Sequence, residues 1–305
     1  MGRDIEAEVT ARMVDALERG TVPWQRPWTS AAGLMPTSAT TGKPYRGVNV
    51  WLLSLTAMEH GYASPYWLTF NQCKTLGGTV RKGQKGTVVV FWKMLDRTEQ
   101  AADGTERARK VPLLRYYHVF NVEQCDDVKL PPRFTMPEER EPLTVSDAVR
   151  AVIDGYANGP AIRHAPSDRA YYSPMDDAIT LPALEQWTTE TGYAGTLFHE
   201  LTHSTGHPSR LDRFARNGEP QHFGSQQYAR EELVAEMGAA ILAASTGIDC
   251  DFPQSAAYVA SWLRALSDDR SLVLKAAQQA QRATDRILGT TFEERTESET
   301  ETVAA

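Results

Sequence analysis

Residues 199–203 read His-Glu-Leu-Thr-His and lie in a stretch, 187–205, that the apolar pattern predicts to be an α-helix. Residues four apart share one face of a helix, so His199 and His203 can bind the same Zn²⁺ ion. Glu200 lies one step round the helix, where it can accept a proton from an activated water and pass it to a leaving amine. The spacing therefore predicts a metal site with Glu200 as the catalytic base.

A catalytic zinc ion needs a third protein ligand. Residues 232–236 read Glu-Leu-Val-Ala-Glu and lie in a second predicted helix, 227–245. This segment resembles the ExxAD element of gluzincin metallopeptidases. The resemblance implies that Glu232 binds the metal and that Glu236 orients one of the histidines.

Two alternatives for the third ligand stay open. His207 ends the run HELTHSTGH, which is similar to the start of the metzincin motif, although Ser209 stands where the third metzincin histidine would fall. Glu231 could replace Glu232 if the register of the helix differs. The sequence favours Glu232 over His207.

Other residues near the motif have less specific signals. His222, Tyr193 and Tyr228 could each donate a hydrogen bond to an oxyanion, and the sequence does not choose among them. The predicted strand 178–181 would bind extended substrate if it were the edge strand of a zincin-like sheet. An ordinary core strand is the alternative.

The first half of the chain has the composition of a nucleic-acid-binding surface. Residues 1–133 carry 18 Lys/Arg against 13 Asp/Glu, whereas residues 134–305 carry 14 against 26. Between residues 40 and 93, seven Lys/Arg and eight aromatic residues accompany a single acidic one. Cations suit the phosphates of a single strand, and rings can stack on its bases. The candidate DNA-binding residues are Lys43, Tyr45, Arg46, Trp67, Lys74, Arg81, Lys82, Lys85 and Trp92, although burial in a core is the more common outcome for any single ring.

The order of predicted elements is typical of an α+β protein. In the first half we expect helices over 5–17 and over 49–59 (capped by Asn49), a strand over 66–70, a short helix capped by Asn71, and strands over 87–92 and 114–122 joined by a long polar loop. In the second half we expect a helix over 146–156, strands over 161–163, 169–173 and 178–181, and helices over 187–205, 227–245, 255–267 and 270–288.

The length of 305 residues favours two domains, and the segment PPRFTMPEEREP at 131–142 is typical of an extended linker. We therefore expect a small α+β DNA-binding domain over 1–130, a linker over 131–145, a zincin-like (gluzincin) domain over 146–290, and a disordered acidic tail over 291–305. No stretch approaches 18 apolar residues, and the three cysteines form no CxxC pair. A soluble protein of a reducing cytoplasm is expected.

Several motifs, taken together, resemble those of ArdC-like antirestriction proteins, whose N-terminal domain also begins some conjugative plasmid primases. They are ERGTVPW at 18–24, TGKPYRGVN at 41–49, YYHVFN at 116–121, DRAYYSP at 168–174, FHELTHSTGHPSRL at 198–211 and YAREELVAE at 228–236. The resemblance covers residues 3 to 290 and includes every proposed metal residue.

This resemblance implies a bacterial antirestriction protein of a mobile element. Its first domain would bind single-stranded DNA, and its second would hold Zn²⁺, or another divalent metal such as Mn²⁺, for the hydrolysis of an unidentified protein or peptide. Its location would be the cytoplasm, including that of recipient cells into which DNA is transferred; the oligomeric state is left open. The alternatives are a non-enzymatic DNA-protecting protein with a structural metal, and a protease that acts on proteins attached to DNA.

Overall fold

The computed structural model describes residues 4–19, 22, 35–100, 106–131, 145–167, 169–216, 226–248, 250, 256–269 and 271–290. The predicted acidic tail, most of the predicted linker and His222 lie outside these residues. Within them, each half of the chain contains both helices and strands, which confirms the α+β class. None of the described helices combines the length and the hydropathy that a membrane span requires.

The first half builds a small mixed sheet with three helices. Its elements are α1 (Ile5–Glu18), β1 (Thr37–Ser38), α2 (Val48–His60), β2 (Tyr66–Leu68), α3 (Phe70–Thr75), β3 (Thr79–Val80), β4 (Thr87–Gln100), β5 (Glu106–Asn121) and β6 (Cys125–Asp126). Four strands pair in the order β1-β2-β5-β4, and β3 pairs with β6.

Two predicted helix caps are wrong. Asn49 lies inside the first turn of α2, where its side chain exchanges two hydrogen bonds with the backbone of Val90, at 2.7 and 2.8 Å. It therefore ties α2 to β4. The α3 helix begins at Phe70 instead of after Asn71, because Thr69 caps it through the backbone N–H of Gln72.

The hairpin β4–β5 is much longer than predicted. Its register runs from Thr87↔Val119 to Gln100↔Glu106, so the connection is short and not a long loop. The charged residues between 93 and 111 show no apolar alternation. A prediction from side-chain pattern therefore ends both strands too early, whereas backbone pairing, which does not depend on side-chain polarity, extends them.

The second half builds a three-stranded sheet covered by helices. Its elements are α4 (Val145–Gly155), β7 (Ala161–Ala165), β8 (Tyr171–Ser173), β9 (Ala178–Pro182), α5 (Glu190–Ser204), α6 (Arg213–Arg216), α7 (Gln226–Thr246), α8 (Ala256–Asp268) and α9 (Leu272–Leu288). The strand order is β7-β9-β8. The strand β9 is central, and Ile179 and Leu181 are buried in it. It is therefore a core strand and not the edge strand considered above.

The helix α7 lies between two apolar clusters. One cluster joins its residues Leu233 and Met237 to α1, α2, α8 and α9, and thus draws on both halves of the chain. The other joins its residues Ala239 and Leu242 to the sheet β7–β9, α4 and α5. Burial on both sides fixes the rotation of α7, and with it the direction of its polar side chains.

Candidate metal centre

The helix α5 carries the His-Glu-Leu-Thr-His motif. It begins after Thr189, whose hydroxyl accepts from the backbone N–H of Gly192 at 3.1 Å. Leu197, Phe198 and Leu201 bury one face of α5 in the second cluster. The histidines lie on another face, which α7 approaches.

His199, His203 and Glu232 come together between α5 and α7. The two imidazole Nε2 atoms lie 3.0 Å apart. Glu232 offers one oxygen at 3.4 Å from His199 Nε2 and the other at 3.5 Å from His203 Nε2. Among the described residues, these three form the one group of possible metal ligands, with ligand atoms within 4.8 Å of one another.

These separations fit a single divalent cation. With bonds of about 2.0–2.1 Å, as zinc forms with nitrogen and oxygen, tetrahedral ligands lie about 3.3 Å from each other. The measured distances of 3.0, 3.4 and 3.5 Å cluster round that value. Two neutral imidazoles and one carboxylate are also the donor set that a catalytic zinc site uses.

The outer nitrogen of each imidazole faces another carboxylate. His199 Nδ1 lies 3.4 Å from Glu236, and His203 Nδ1 lies 3.3 Å from Glu231. Each Nδ1–H can donate to its carboxylate, which leaves both Nε2 lone pairs directed inward. The structure thus brings Glu236 to the position that the gluzincin resemblance implies, and places Glu231 behind a histidine and not among the three inner ligands.

The carboxylates around the centre favour the protonated form of both imidazoles. Burial lowers the pKa of His203, but hydrogen bonds with Glu231 and Glu232 outweigh it and raise the pKa to about 9. Burial also lowers the pKa of His199. The effects of Glu232, Glu236 and Glu200 outweigh burial, so the pKa of His199 lies well above its usual value. Burial would raise the pKa of Glu232, yet the two histidines hold it well below its usual range. A bound cation would take the place of the imidazole protons.

Two other predicted site residues are near the ligands in sequence: Glu200 lies on α5, and His207 follows the end of α5. Glu200 is buried next to His199, and its charge acts on that histidine. His207 lies beyond the end of α5, where its Nδ1 contacts Ser209 Oγ at 2.7 Å. Glu232, and not His207, therefore completes the group of three.

Two of the candidate oxyanion donors, Tyr193 and Tyr228, lie on the same two helices as the three ligands. Tyr193 lies in the first turn of α5, and its hydroxyl contacts His164 Nε2 at 3.2 Å while the two rings stack. Tyr228 lies in the first turn of α7. His222 falls outside the described residues.

Three candidate DNA-binding residues are occupied elsewhere. Trp67 is 1% exposed and packs with Leu53, Val89 and Val119. Arg46 forms an ion pair with Asp285 of α9. Arg81 donates to the backbone carbonyl of Glu123 and pairs with Asp126 at 3.3 Å, so its guanidinium folds back on the protein.

The remaining candidates give a mixed picture. Tyr45 is half-buried against the cluster that contains Trp67. The side chain of Trp92 is not among those that the structure describes. Four lysines are exposed: Lys43, Lys74, Lys82 and Lys85. The last two follow Arg81 in a turn that Gly83 makes possible with a φ of +87°.

Sequence reasoning missed one exposed aromatic residue in this region. Phe70 is 47% exposed, and the ammonium of Lys74 lies 4.8 Å from the centroid of its ring. The position of Phe70 at the start of a helix could be predicted from the sequence, because Thr69 and Gln72 form a capping box. That box makes Phe70 the first residue of a short surface helix and not the end of a buried strand.

Comparisons with known proteins match both halves. Residues 3–120 match the family model of the N-terminal domain of the anti-restriction factor ArdC, and residues 150–279 match that of a zincin-like metallopeptidase. Two DNA primases TraC of Escherichia coli are 37% identical to the chain over 299 and 295 residues, covering 92% of it. The chain spans 27% and 19% of the length of those two primases.

Two relatives match this chain along nearly their whole length. An uncharacterised protein, y4eC, of Sinorhizobium fredii is 34% identical over 289 residues, covering 92% of this chain and 91% of that protein. Two crystal structures of the antirestriction ArdC protein from the R388 plasmid, metal-free and Mn(II)-bound, are 42% identical and cover 94% of this chain and 98% of theirs. Their TM-scores are 0.77 and 0.76. The chain therefore belongs to the family of ArdC antirestriction proteins and carries a zincin-like metallopeptidase domain.

Proposed function

We propose that this protein shields incoming DNA from restriction by binding single strands through its first half and hydrolysing peptide bonds at the metal centre of its second half. The convergence of His199, His203 and Glu232 supports the hydrolytic part most strongly. Two imidazoles and a carboxylate seldom lie in contact inside a protein for structural reasons alone. Burying such groups costs free energy unless a cation or added protons neutralise the carboxylate.

Each side chain has a distinct role in this proposal. His199, His203 and Glu232 would hold a divalent cation, Zn²⁺ or Mn²⁺, while Glu236 orients His199. A cation bound there supplies Lewis acidity, which polarises a peptide carbonyl and makes water more acidic. Glu200, buried beside His199, accepts the proton of the attacking water and delivers it to the leaving nitrogen.

The metal-free ArdC structure bears on whether the cation is catalytic or structural. The metal-free and Mn(II)-bound structures of that protein resemble this chain equally well, with TM-scores of 0.77 and 0.76. A structural zinc site usually organises its fold, so that the protein unfolds without metal. The similarity of both forms therefore favours a catalytic metal over a structural one.

The DNA-binding part rests on a smaller surface than the sequence suggested. Lys74, Lys82 and Lys85 are exposed within a short segment, and Phe70 offers a ring face beside Lys74. Exposed cations neutralise phosphates, and an exposed ring stacks on a base whatever its identity. This combination favours single strands without sequence preference.

The substitution Glu200→Gln tests the proposal, because it removes the base while it retains the shape of the side chain. We expect Mn²⁺ and single-stranded DNA to bind as in the wild type. Peptide-bond hydrolysis should fall by about 10²–10⁴-fold, the usual contribution of a general base. The assays are cleavage of a protein mixture and survival of transferred DNA in a restricting host.

The same variant separates the alternatives. Loss of cleavage together with loss of protection supports the bifunctional protein. Loss of cleavage with full protection would indicate that DNA binding alone protects. In the wild type, cleavage of a wide range of proteins that single strands stimulate would indicate a protease that clears proteins from DNA. Unchanged cleavage would remove Glu200 from the mechanism.

A further inference from the structure

Glu231 precedes Glu232 on α7 but contacts the opposite edge of the His203 ring. Its Oε1 accepts from His203 Nδ1 at 3.3 Å, whereas Glu232 lies 3.5 Å from His203 Nε2. A histidine that donates its Nδ1 proton keeps the Nε2 lone pair available to a metal. The contact with Glu231 therefore determines both the tautomer and the direction of this ring.

Arg213 of α6 holds the Glu231 carboxylate from behind. Its Nη2 and Nε donate to the two oxygens of Glu231, at 2.6 and 3.1 Å. Both side chains are 5% exposed. A bidentate guanidinium fixes the plane of a carboxylate and engages both of its oxygens. Glu231 is thereby held away from the inner ligands.

The guanidinium is in turn anchored at the end of the helix that carries the histidines. Its Nη1 donates to Thr205 Oγ1 at 2.5 Å, and its Nη2 donates to the Thr202 carbonyl at 2.9 Å. The next residue, Phe214, covers Gly206 so closely that a β-carbon there would lie 2.6 Å from its ring. Arg213 thus links α5, α6 and α7 at one buried point.

We infer that Arg213 and Glu231 are a positioning pair for the metal centre, which directs His203 Nε2 at the cation and prevents Glu231 from becoming a ligand. The inference rests on the proposed metal function. The positive charge of Arg213 also offsets that of Glu231, so a further carboxylate can lie beside the centre without adding its full negative charge to Glu232 and Glu236.

The test is a titration of the metal-free 305-residue chain with Mn²⁺. The electron paramagnetic resonance signal of the free ion measures how much Mn²⁺ remains unbound. We expect Glu231→Gln to weaken Mn²⁺ binding by about 10–100-fold, the usual effect of losing a partner of a ligating histidine. The visible spectrum of the Co²⁺-loaded chain should change as well, since the ligand field depends on the direction of the imidazole.

A matched control is Asp177→Asn. Asp177 pairs with Arg210, whose side chain is 1% exposed, so this variant also removes a carboxylate from a buried arginine. Neither residue contacts the inner ligands. We expect wild-type Mn²⁺ affinity within about twofold and an unchanged Co²⁺ spectrum, because distant sites act independently.

Arg213→Lys keeps the positive charge but loses the bidentate contact with Glu231. This variant provides the same test if Glu231→Gln does not fold. We expect it to weaken Mn²⁺ binding at least several-fold. Wild-type affinity and spectrum in a folded Glu231→Gln or Arg213→Lys chain would overturn the inference, as would an equal loss in Asp177→Asn. Absence of Mn²⁺ binding in the wild type would instead refute the proposed metal function.

Discussion

Gly238 of α7 lies directly against Thr202 of α5. A β-carbon on Gly238 would come within 2.4 Å of Thr202 Cγ2 and 2.8 Å of its Oγ1. The two helices can therefore approach closely only because residue 238 has no side chain. This contact sets the spacing between the histidines of α5 and Glu232 of α7.

Gly238→Ala should push α5 and α7 apart. We expect a loss of about 1–3 kcal/mol in the free energy of unfolding, typical of an overpacked core, together with weaker Mn²⁺ binding. Denaturant unfolding and Mn²⁺ titration measure the two effects. Gly155→Ala is the control, since a β-carbon there would meet nothing within 4 Å. Equal behaviour of the two variants would show that the close approach is unimportant.

The link between Asp177 and Arg210 predicts a dependence of stability on pH. A hydrogen bond from Arg210 lowers the pKa of Asp177, with burial opposing it and Tyr172 reinforcing it. A carboxyl group whose pKa is lowered by folding stabilises the protein above its unfolded pKa, and that contribution is lost as the pH falls through the folded value.

Asp177→Asn should therefore destabilise the protein at neutral pH but not in strong acid. Because Asp177 is partly exposed, we expect only about 1 kcal/mol at pH 7. The difference should vanish below the lowered pKa of Asp177. Asparagine tolerates the positive φ of 46° at this position, so backbone strain is not introduced. Urea unfolding at a series of pH values measures the difference, and a constant difference down to acid pH would contradict the account.

The exposed lysines of the turn after β3 should contact phosphates. For Lys82→Ala/Lys85→Ala we expect weaker binding of single-stranded DNA. The slope of log affinity against log salt should fall by about 0.7 for each lysine removed. Fluorescence anisotropy with a labelled oligonucleotide at several salt concentrations measures both quantities. Lys275→Ala, at an exposed position of α9, should leave affinity and slope unchanged, and an equal effect there would point to net charge instead of a site.

Phe70 should act by stacking and not by charge. Phe70→Ala is expected to cost about 1–3 kcal/mol of binding free energy, the usual value for one stacked base. The salt slope should stay as in the wild type, and Phe70→Trp should retain affinity. Tyr171→Ala removes a ring of similar exposure from β8 and is the matched control. Undiminished binding by Phe70→Ala would exclude this ring from the interface.

The sequence predicts that His199 and His203 face one ion because their geometry is local, whereas Glu232 is expected only through the gluzincin resemblance. His199 and His203 lie one turn apart on one helix, and Glu232 lies on the next long helix. The role of Glu231 was not predictable in the same way. Neighbouring residues on a helix point in different directions, and only the packing of α7 between two apolar clusters decides which one faces inward.

Long-range pairings account for the other differences. Arg46 looked like a phosphate ligand in a basic segment, but its partner is Asp285, 239 residues later. Trp67 looked like a stacking ring, but its strand β2 pairs with the distant strand β5. The ring is buried against Val89 of β4 and Val119 of β5. Local composition carries no information about such partners, whereas helix boundaries follow local caps and apolar periodicity.

Metal analysis of the purified chain is the most direct test of the central claim. We predict one divalent ion per chain in the wild type, by mass spectrometry after dialysis against a trace of Zn²⁺ or Mn²⁺. In Glu232→Gln, which removes the negative charge between the two imidazoles, we predict that this ion is lost while the near-ultraviolet circular dichroism of the chain is kept. A wild-type chain that retains no ion, or a Glu232→Gln chain that retains it fully, would contradict the account.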